Sequence, residues 1–166
     1  MNHQRNMMTS LSNKFLNWLD SRGRKRVIMD RTCDEPLLTR YYLFLKDRKY
    51  FPFNVFLHKF HKGDPGDVHD HPWPYATLIL KGGYYEWVPE FDSDGRMFGQ
   101  RKFWRGPGHF RICGANSYHR IELDPGVTPW TLFMPGPQKR EWGFLVKNKW
   151  IQNEKYIEMR KAAKNA

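Results

Sequence analysis

From residue 27 onward, the sequence alternates short runs of aromatic and β-branched residues with Gly, Pro, Asp and Asn, at intervals of roughly ten residues. Runs of this length are typical of β-strands, and the residues between them are typical of tight turns. Because no regular helical pattern separates the runs, an all-β sandwich or barrel is favoured over a doubly wound α/β fold. At most ten strands are predicted: 27–31, 38–46, 53–60, 77–80, 84–88, 100–104, 110–113, 119–123, 130–134 and 142–147.

The two ends of the chain are predicted to be helical. In residues 9–20, apolar residues recur at helical spacing behind Thr and Ser cap candidates, which predicts a short amphipathic helix with Leu11, Phe15, Trp18 and Leu19 on one face. The charged segment 151–166 predicts a short C-terminal helix or tail. Since 166 residues suffice for one ordinary core, we expect a single domain, 1–166, with its core at 27–150 and a helix and basic segment at 1–26.

Positive charge collects in both flanks of the chain, whose formal net charge is +11. Residues 1–50 hold 11 Lys and Arg against 5 Asp and Glu, residues 137–166 hold 8 against 3, and residues 51–136 balance at 9 against 9. Basic flanks favour contact with nucleic acid, a nucleotide or another phosphorylated ligand. A solvated basic surface explains the same charge, since no nucleic-acid-binding motif accompanies it.

The sequence favours a cytoplasmic protein without a membrane contact. The apolar runs 76–80 and 130–135 are too short to cross a bilayer, and the polar N-terminal segment lacks the apolar region of a signal peptide. Two cysteines, Cys33 and Cys113, cannot make the disulfide-dense framework of a small secreted protein.

The segment GDVHDHPWPYATLILKGG carries the clearest chemistry. In an extended chain His69 and His71 point to the same side and Asp70 to the other, so the two imidazoles can bind one divalent metal ion. A His-x-His pair alone arises often by chance in a chain with seven histidines, so its meaning depends on the residues that follow.

Those residues resemble the two motifs of the cupin superfamily. In the first motif, the His-x-His pair is followed after three or four residues by glutamate and six residues later by glycine; this chain has Tyr75 and Gly82 at these positions. In the second motif, a Pro-x-Gly turn precedes a histidine; this chain has Gly114-Ala115-Asn116 before His119. Because Asn tolerates a positive φ, we expect the turn before His119 to form without the glycine.

The resemblance implies a cupin-type jelly-roll β-barrel that binds one metal ion through His69, His71 and His119. Tyr75 stands where cupins usually have a carboxylate ligand, so the implied site has three histidines and no glutamate. Such a site suits Fe(II), Zn, Mn or Ni and leaves coordination positions open. It is similar to that of the thiol dioxygenases, which favours Fe(II) and an oxygenase reaction.

The substrate expected for this oxygenase is a small or nucleotide-like molecule. A non-redox isomerase, lyase or hydrolase stays open, as does a binding or inhibitor protein whose metal is structural or absent.

Three further residues are candidates for catalysis or for support of the metal ligands. Glu86 is a fourth ligand or a general acid/base if it faces inward, and a surface residue if it does not. Tyr75 supplies a hydroxyl beside the ligands or is a core aromatic residue. His58 joins the pocket or is a hydrogen-bonded structural histidine.

The candidates for substrate binding are aromatic and basic. Lys139 and Arg140 meet a turn and an aromatic strand in MPGPQKREWGF, which suits a phosphate or carboxylate at the barrel mouth but equally a solvated loop. Trp73 and Trp142 lie beside predicted strands and either stack on a ligand or fill the core.

The segments HDHPW, ILKGGYYE, HRI, WTLFMPGP and REWGF also resemble small cupin-like proteins of phage and prophage genomes. A phage origin would place the protein in the cytoplasm of the host cell. A homodimer stays open.

Overall fold

The structure is a computed structural model that describes residues 2–31, 33–46 and 50–164, with side chains from residue 11 onward. Its helices are α1 (Asn2–Ser21) and α2 (Asn153–Lys164). Its strands are β1 (Lys25–Met29), β2 (Pro36–Tyr42), β3 (Phe56–Phe60), β4 (Tyr75–Lys81), β5 (Tyr84–Phe91), β6 (Met97–Arg105), β7 (Phe110–Cys113), β8 (Arg120–Glu122), β9 (Trp130–Pro135), β10 (Gly143–Val146) and β11 (Lys149–Gln152).

The strands form two facing walls. One wall is an antiparallel sheet in the order β1-β2-β3-β9-β4-β7. The other combines the sheet β6-β5-β8 with the hairpin β10-β11, because His69 pairs with His119 on one side and with Phe144 on the other. This arrangement confirms the predicted all-β jelly roll with a helix at each end, since neighbouring strands along the chain repeatedly change walls.

Apolar side chains from both walls fill part of the interior. The cluster consists of Leu38, Phe60, Ile79, Tyr84 and Ile121. Their alternation with outward-facing residues follows the period-two geometry of each strand, and burial of each such side chain contributes about 1.5 to 3 kcal/mol. The rest of the interior holds the predicted histidine site.

The turn at Gly82-Gly83 carries the chain from one wall to the other. Gly83 has φ +147°, and a Cβ added there would lie 2.5 Å from the ring of Trp104. A side chain at this position is therefore excluded by both backbone strain and contact. This turn lies between the predicted strands 77–80 and 84–88, as the gap between them requires.

The eleventh strand was not predicted, and the upper count of ten strands is wrong. The structure shows a two-residue turn at Lys147 and Asn148, with φ +46° and +63°, between β10 and β11. Positive φ at both turn residues suits the right-handed twist of a hairpin, but Asn-Gly is its usual sequence signal. Lys is uncommon in this conformation, so the sequence lacked the usual turn signal after the predicted strand 142–147.

Helix α1 confirms the predicted N-terminal helix but not its apolar contact face. Leu19 is buried, whereas Leu11, Phe15 and Trp18 are all about half exposed or more. Phe15 and Trp18 stack on each other, with ring centroids 6.0 Å apart. The helical spacing was therefore correct, but of the four predicted apolar residues only Leu19 is buried.

Helix α2 confirms the predicted C-terminal helix; Asn165 and Ala166, the end of segment 151–166, lie outside the described residues. Tyr156 is buried and stacks on Phe144 of β10 at a centroid distance of 3.8 Å. Its hydroxyl donates to Asp67 Oδ2 at 2.9 Å. Helix α2 is thus packed against the strand that borders the His-x-His segment.

None of the described helices has the length and apolarity needed to span a lipid bilayer.

Candidate metal centre

Backbone hydrogen bonds hold the His-x-His segment extended between the two halves of one wall. His69 and His119 exchange both N–H···O bonds, each 2.9 Å long. The amide of Asp70 donates to Gly143 at 3.0 Å, on the other side. An extended segment alternates its side chains, and this places His69 and His71 toward the interior.

Asp70 fixes the segment from its other face. The side chain is 0% exposed, although Asp is normally a surface residue. Oδ1 accepts from the Gly143 amide at 2.7 Å, and Oδ2 accepts from Trp150 Nε1 at 3.0 Å and from Arg140 at 3.1 Å. The carboxylate thus joins the segment that contains His69 and His71 to the hairpin β10-β11.

We expect Asp70→Ala to destabilise the protein by about 2 to 4 kcal/mol, because it leaves buried donors without an acceptor. Urea unfolding followed by tryptophan fluorescence measures the change. Asp94→Ala, in an exposed turn, is the matched control and should stay within about 0.5 kcal/mol of the parent. Equal stability of the two variants would contradict the anchoring role of Asp70.

The three histidines converge on one point. Each offers a ring nitrogen, and these nitrogens all lie within 4.8 Å of one another. The ring centroids are 5.0 to 5.2 Å apart, and Nε2 of His71 lies 2.9 Å from Nε2 of His119. The structure therefore brings together His69, His71 and His119, the residues that the cupin motifs implied.

Glu86 faces inward and is only 3% exposed, but it is not placed as a fourth ligand. Oε1 lies 2.9 Å from Nδ1 of His119. Oε2 accepts from Nε of Arg105 at 2.8 Å and from Nη1 of Arg111. Both carboxylate oxygens are thus occupied, and Glu86 holds His119 so that its Nε2 faces the other histidines.

Charge around Glu86 keeps it ionised. Burial opposes ionisation, but the hydrogen bond and charge interaction with His119, the charge of Arg111 and the hydrogen bond from Arg105 outweigh it and lower the pKa of Glu86 to about 2. An ionised carboxylate favours the Nδ1–H tautomer of His119, which leaves the Nε2 lone pair free for a metal ion.

His69, His71 and His58 are neutral over the physiological pH range. Burial, with His119 adding to it and Asp64 partly offsetting it, lowers the pKa of His69 to about 4. Burial and the neighbouring histidines hold the pKa of His71 well below its usual value of 6.5. Burial and the charge of a nearby arginine do the same to the pKa of His58.

These lowered values predict that the metal-free protein loses stability in acid. Between pH about 6.5 and about 4 the unfolded chain binds protons at these histidines and the folded chain does not, so stability falls as the pH falls. His69 alone accounts for roughly 3 kcal/mol of this loss. Thermal unfolding in EDTA at pH 7 and pH 4.5 tests it, with His69→Asn expected to show a smaller difference. A melting temperature independent of pH would contradict it.

The donor set fits a divalent metal ion. Two imidazole nitrogens bound at right angles to one cation, each about 2.1 Å from it, would lie about 3 Å apart. The 2.9 Å separation between His71 and His119 agrees with this. In addition, Nδ1 of His69 is inaccessible to solvent and has no hydrogen-bond partner in the described chain. Unpartnered buried nitrogen atoms are rare, so the His69 ring is not held in place by hydrogen bonds in the way that an ordinary structural histidine is.

A cavity of about 350 Å³ lies beside the histidines. Tyr75 is buried in its wall, with its ring centroid 4.6 Å from that of His71. Burial and the adjacent Cys113 thiol raise the pKa of Tyr75 well above its usual value, so its hydroxyl stays protonated. Tyr75 therefore occupies the carboxylate position as a neutral group.

His58 is buried and also lines the cavity. Its Nε2 accepts a hydrogen bond of 2.9 Å from Nε of Arg40. The ring stacks on Phe133 at a centroid distance of 5.2 Å. His58 is thus both a hydrogen-bonded histidine and a polar group of the cavity, two possibilities that the sequence presented as alternatives.

The four predicted substrate-binding residues lie in different surroundings. Trp73 and Trp142 line the cavity, and Trp142 makes an edge contact with His69 at 6.0 Å. Lys139 and Arg140 are exposed and do not line it. Arg140 pairs instead with Asp70, which gives it a structural partner.

The basic residues that do line the cavity were missed. They are Arg26, Arg31, Arg40 and Arg111. Three of them lie in or beside β1 and β2, in the basic N-terminal flank. The sequence offered no clear signal for them, because the side of β1 that faces the interior could not be assigned from such a mixed sequence.

The turn before His119 forms differently from the prediction. The amide of Ser117 donates to Gly114 at 3.2 Å. Asn116 is not among the described residues with positive φ. The expectation of a left-handed residue at this position is therefore wrong, because a turn with ordinary φ values brings His119 into place without glycine.

Solved structures confirm the cupin-type fold. The cupin-2 domain protein Rru_A2000 from Rhodospirillum rubrum has a TM-score of 0.53 at 12% identity, covering 82% of this chain and 80% of that one. The polyketide cyclase RemF from Streptomyces resistomycificus has a TM-score of 0.51 at 16% identity, covering 76% and 83%. Fe(II)-HppE with the alternative substrate (S)-1-HPP has a TM-score of 0.50 at 8% identity, covering 68% of this chain and 56% of that one.

Identities this low show the fold and not the activity. This chain also spans little more than half the length of HppE. The sequence matches no protein-family model and no curated protein. The likeness to phage cupin-like proteins stays a prediction.

Proposed function

We infer that this chain is a metal-dependent enzyme that binds one divalent cation, with Fe(II) favoured, and carries out an oxygenase reaction on a small molecule. The observation that carries this proposal is the convergence of three imidazoles beside a cavity. The Fe(II) in HppE, a protein of the same fold, supports the choice of iron.

The residues of this chain would divide the work as follows. His69, His71 and His119 hold the cation, and Glu86 fixes the ring orientation and tautomer of His119. A bound divalent ion supplies Lewis acidity and, if it is iron, one-electron redox chemistry. The aromatic wall formed by Tyr75 and Phe133 excludes bulk water from the same space.

Elemental analysis of protein purified without a histidine tag is the first test, and about one metal ion per chain is expected. Anaerobic reconstitution with Fe(II), followed by oxygen uptake with candidate substrates, then tests the reaction class. Protein that contains no metal and takes up none would refute the proposal.

A non-redox reaction on the same site is the second candidate. RemF supports this candidate, because it is a protein of the same fold that is named as a cyclase and not as an oxygenase. Zinc as the native metal, with substrate turnover that proceeds without oxygen, would support this candidate over the oxygenase.

A further inference from the structure

Two arginines stand side by side on the inner face of the six-stranded sheet. Arg26 of β1 lies directly opposite Arg40 of β2, and Arg40 lies opposite His58 of β3. Opposite residues of an antiparallel pair point to the same face, with Cβ atoms about 4.5 to 5.5 Å apart. All three residues line the cavity that borders the histidine site.

No carboxylate in the described part of the chain forms an ion pair with Arg26 or Arg40. The cavity is lined by two acidic residues, Glu86 and Asp64, and neither forms an ion pair with Arg26 or Arg40 among the described residues. Glu86 binds other arginines and His119, and Asp64 Oδ2 accepts from the Ile121 amide at 2.7 Å.

The two like charges repel each other, and this repulsion is moderate because Arg26 is exposed while Arg40 is half-buried. Arg40 donates to the neutral ring of His58 and lies over the ring of Phe56, 4.3 Å from its centroid. Neither contact neutralises its charge. Like charges opposite each other destabilise a sheet. Burial lowers the pKa of Arg40, with a hydrogen bond to Tyr42 partly offsetting it and Arg26 adding to it. A bound anion would remove this cost.

The pair lies within a small molecule's length of the histidine site. His58, which accepts from Arg40, packs on the same Phe133 ring as His71, at centroid distances of 5.2 and 6.2 Å. The cavity volume of about 350 Å³ is at the lower end of the range for ligand sites. One metabolite-sized molecule can thus reach from the arginines to the histidines.

We propose that Arg26 and Arg40 bind the anionic group, a carboxylate or a phosphate, of the substrate whose reacting part lies beside the three histidines. Guanidinium groups present paired donors that match the oxygens of such groups. This inference rests on the proposed function, and it specifies the charge of the substrate and the wall that holds it.

Anion binding by EDTA-treated protein tests the proposal independently of the metal. Inorganic phosphate and benzoate are titrated separately by calorimetry at constant ionic strength. Arg40→Gln and Arg26→Gln should each lower the affinity for the anion that binds the parent more tightly, by at least about tenfold. Lys25→Gln is the charge-matched control, because Lys25 neighbours Arg26 but forms a surface ion pair with Asp20. This variant should bind each anion with the same affinity as the parent.

Thermal unfolding separates binding from a structural role. Without anion, Arg26→Gln should melt at or above the parent temperature, since it removes repulsion from Arg40. Added anion should raise the melting temperature of the parent and of Lys25→Gln, but not that of Arg26→Gln. A structural role predicts the opposite, a lower melting temperature for Arg26→Gln in both conditions.

Tighter phosphate binding would assign a phosphorylated substrate, and tighter benzoate binding a carboxylate. The proposal is overturned if neither anion binds the parent, or if the arginine variants bind as tightly as Lys25→Gln. Elemental analysis that finds no metal would refute the proposed function without affecting this anion measurement.

Discussion

His119→Ala is expected to lower the bound metal from about one ion per chain to less than about a tenth after dialysis. Structural zinc sites with four ligands gain about 10 to 16 kcal/mol from the metal, so one ligand is worth roughly 3 kcal/mol, or more than a hundredfold in affinity. His119 carries additional weight because it is the ligand that Glu86 orients.

The measurement is metal content by elemental analysis, with affinity from competition against a coloured chelator. His61→Ala is the matched control, since His61 is exposed and its side chain has a hydrogen bond only with Thr39 among the groups described, at 2.8 Å. It should retain the parent's metal content. His71→Ala should behave like His119→Ala, because its ring completes the same cluster. Full metal content in both cluster variants would show that the histidines are not the ligands.

The histidine cluster was predictable because its geometry is local to two short motifs. His69 and His71 share a face through strand alternation alone, and the spacing to His119 matched a known motif. The jelly roll was predictable for a related reason, since turn residues such as Gly82-Gly83 mark where each strand ends.

The surroundings of the cluster depend on pairings that the sequence does not encode locally. Glu86 was one uncertain carboxylate in the sequence, and its role became evident only when β6 and β7 placed Arg105 and Arg111 beside it. Lys139 and Arg140 were preferred as anion-binding residues because they adjoin a turn. The register of β1 and β2 instead brings Arg26 and Arg40 into the cavity, and a shift of one residue would have turned both outward.

Glu86→Gln should both destabilise the fold and weaken metal binding. It keeps the shape of the side chain but removes the charge that Arg105 and Arg111 share, and breaking a buried ion pair on one side costs about 3 to 5 kcal/mol. Loss of a carboxylate that orients a metal-binding histidine weakens the metal typically 10- to 100-fold, or about 1.4 to 2.7 kcal/mol. Because one substitution changes both the stability of the fold and the affinity for metal, the two quantities are measured in separate experiments.

Urea unfolding of the EDTA-treated variant gives the first effect, and metal competition at a temperature where the variant is fully folded gives the second. Glu90→Gln is the matched control on the same strand, since Glu90 forms a partly exposed pair with Arg101 alone. A pair of this kind is worth about 0 to 1 kcal/mol, and Glu90 lies away from the histidines, so neither quantity should change by more than that. If Glu86→Gln lost stability but bound metal as tightly as Glu90→Gln, the carboxylate would serve the two arginines only. If only Glu86→Gln binds metal more weakly, the carboxylate acts on the metal site through His119, because His119 is the histidine of the cluster that it contacts.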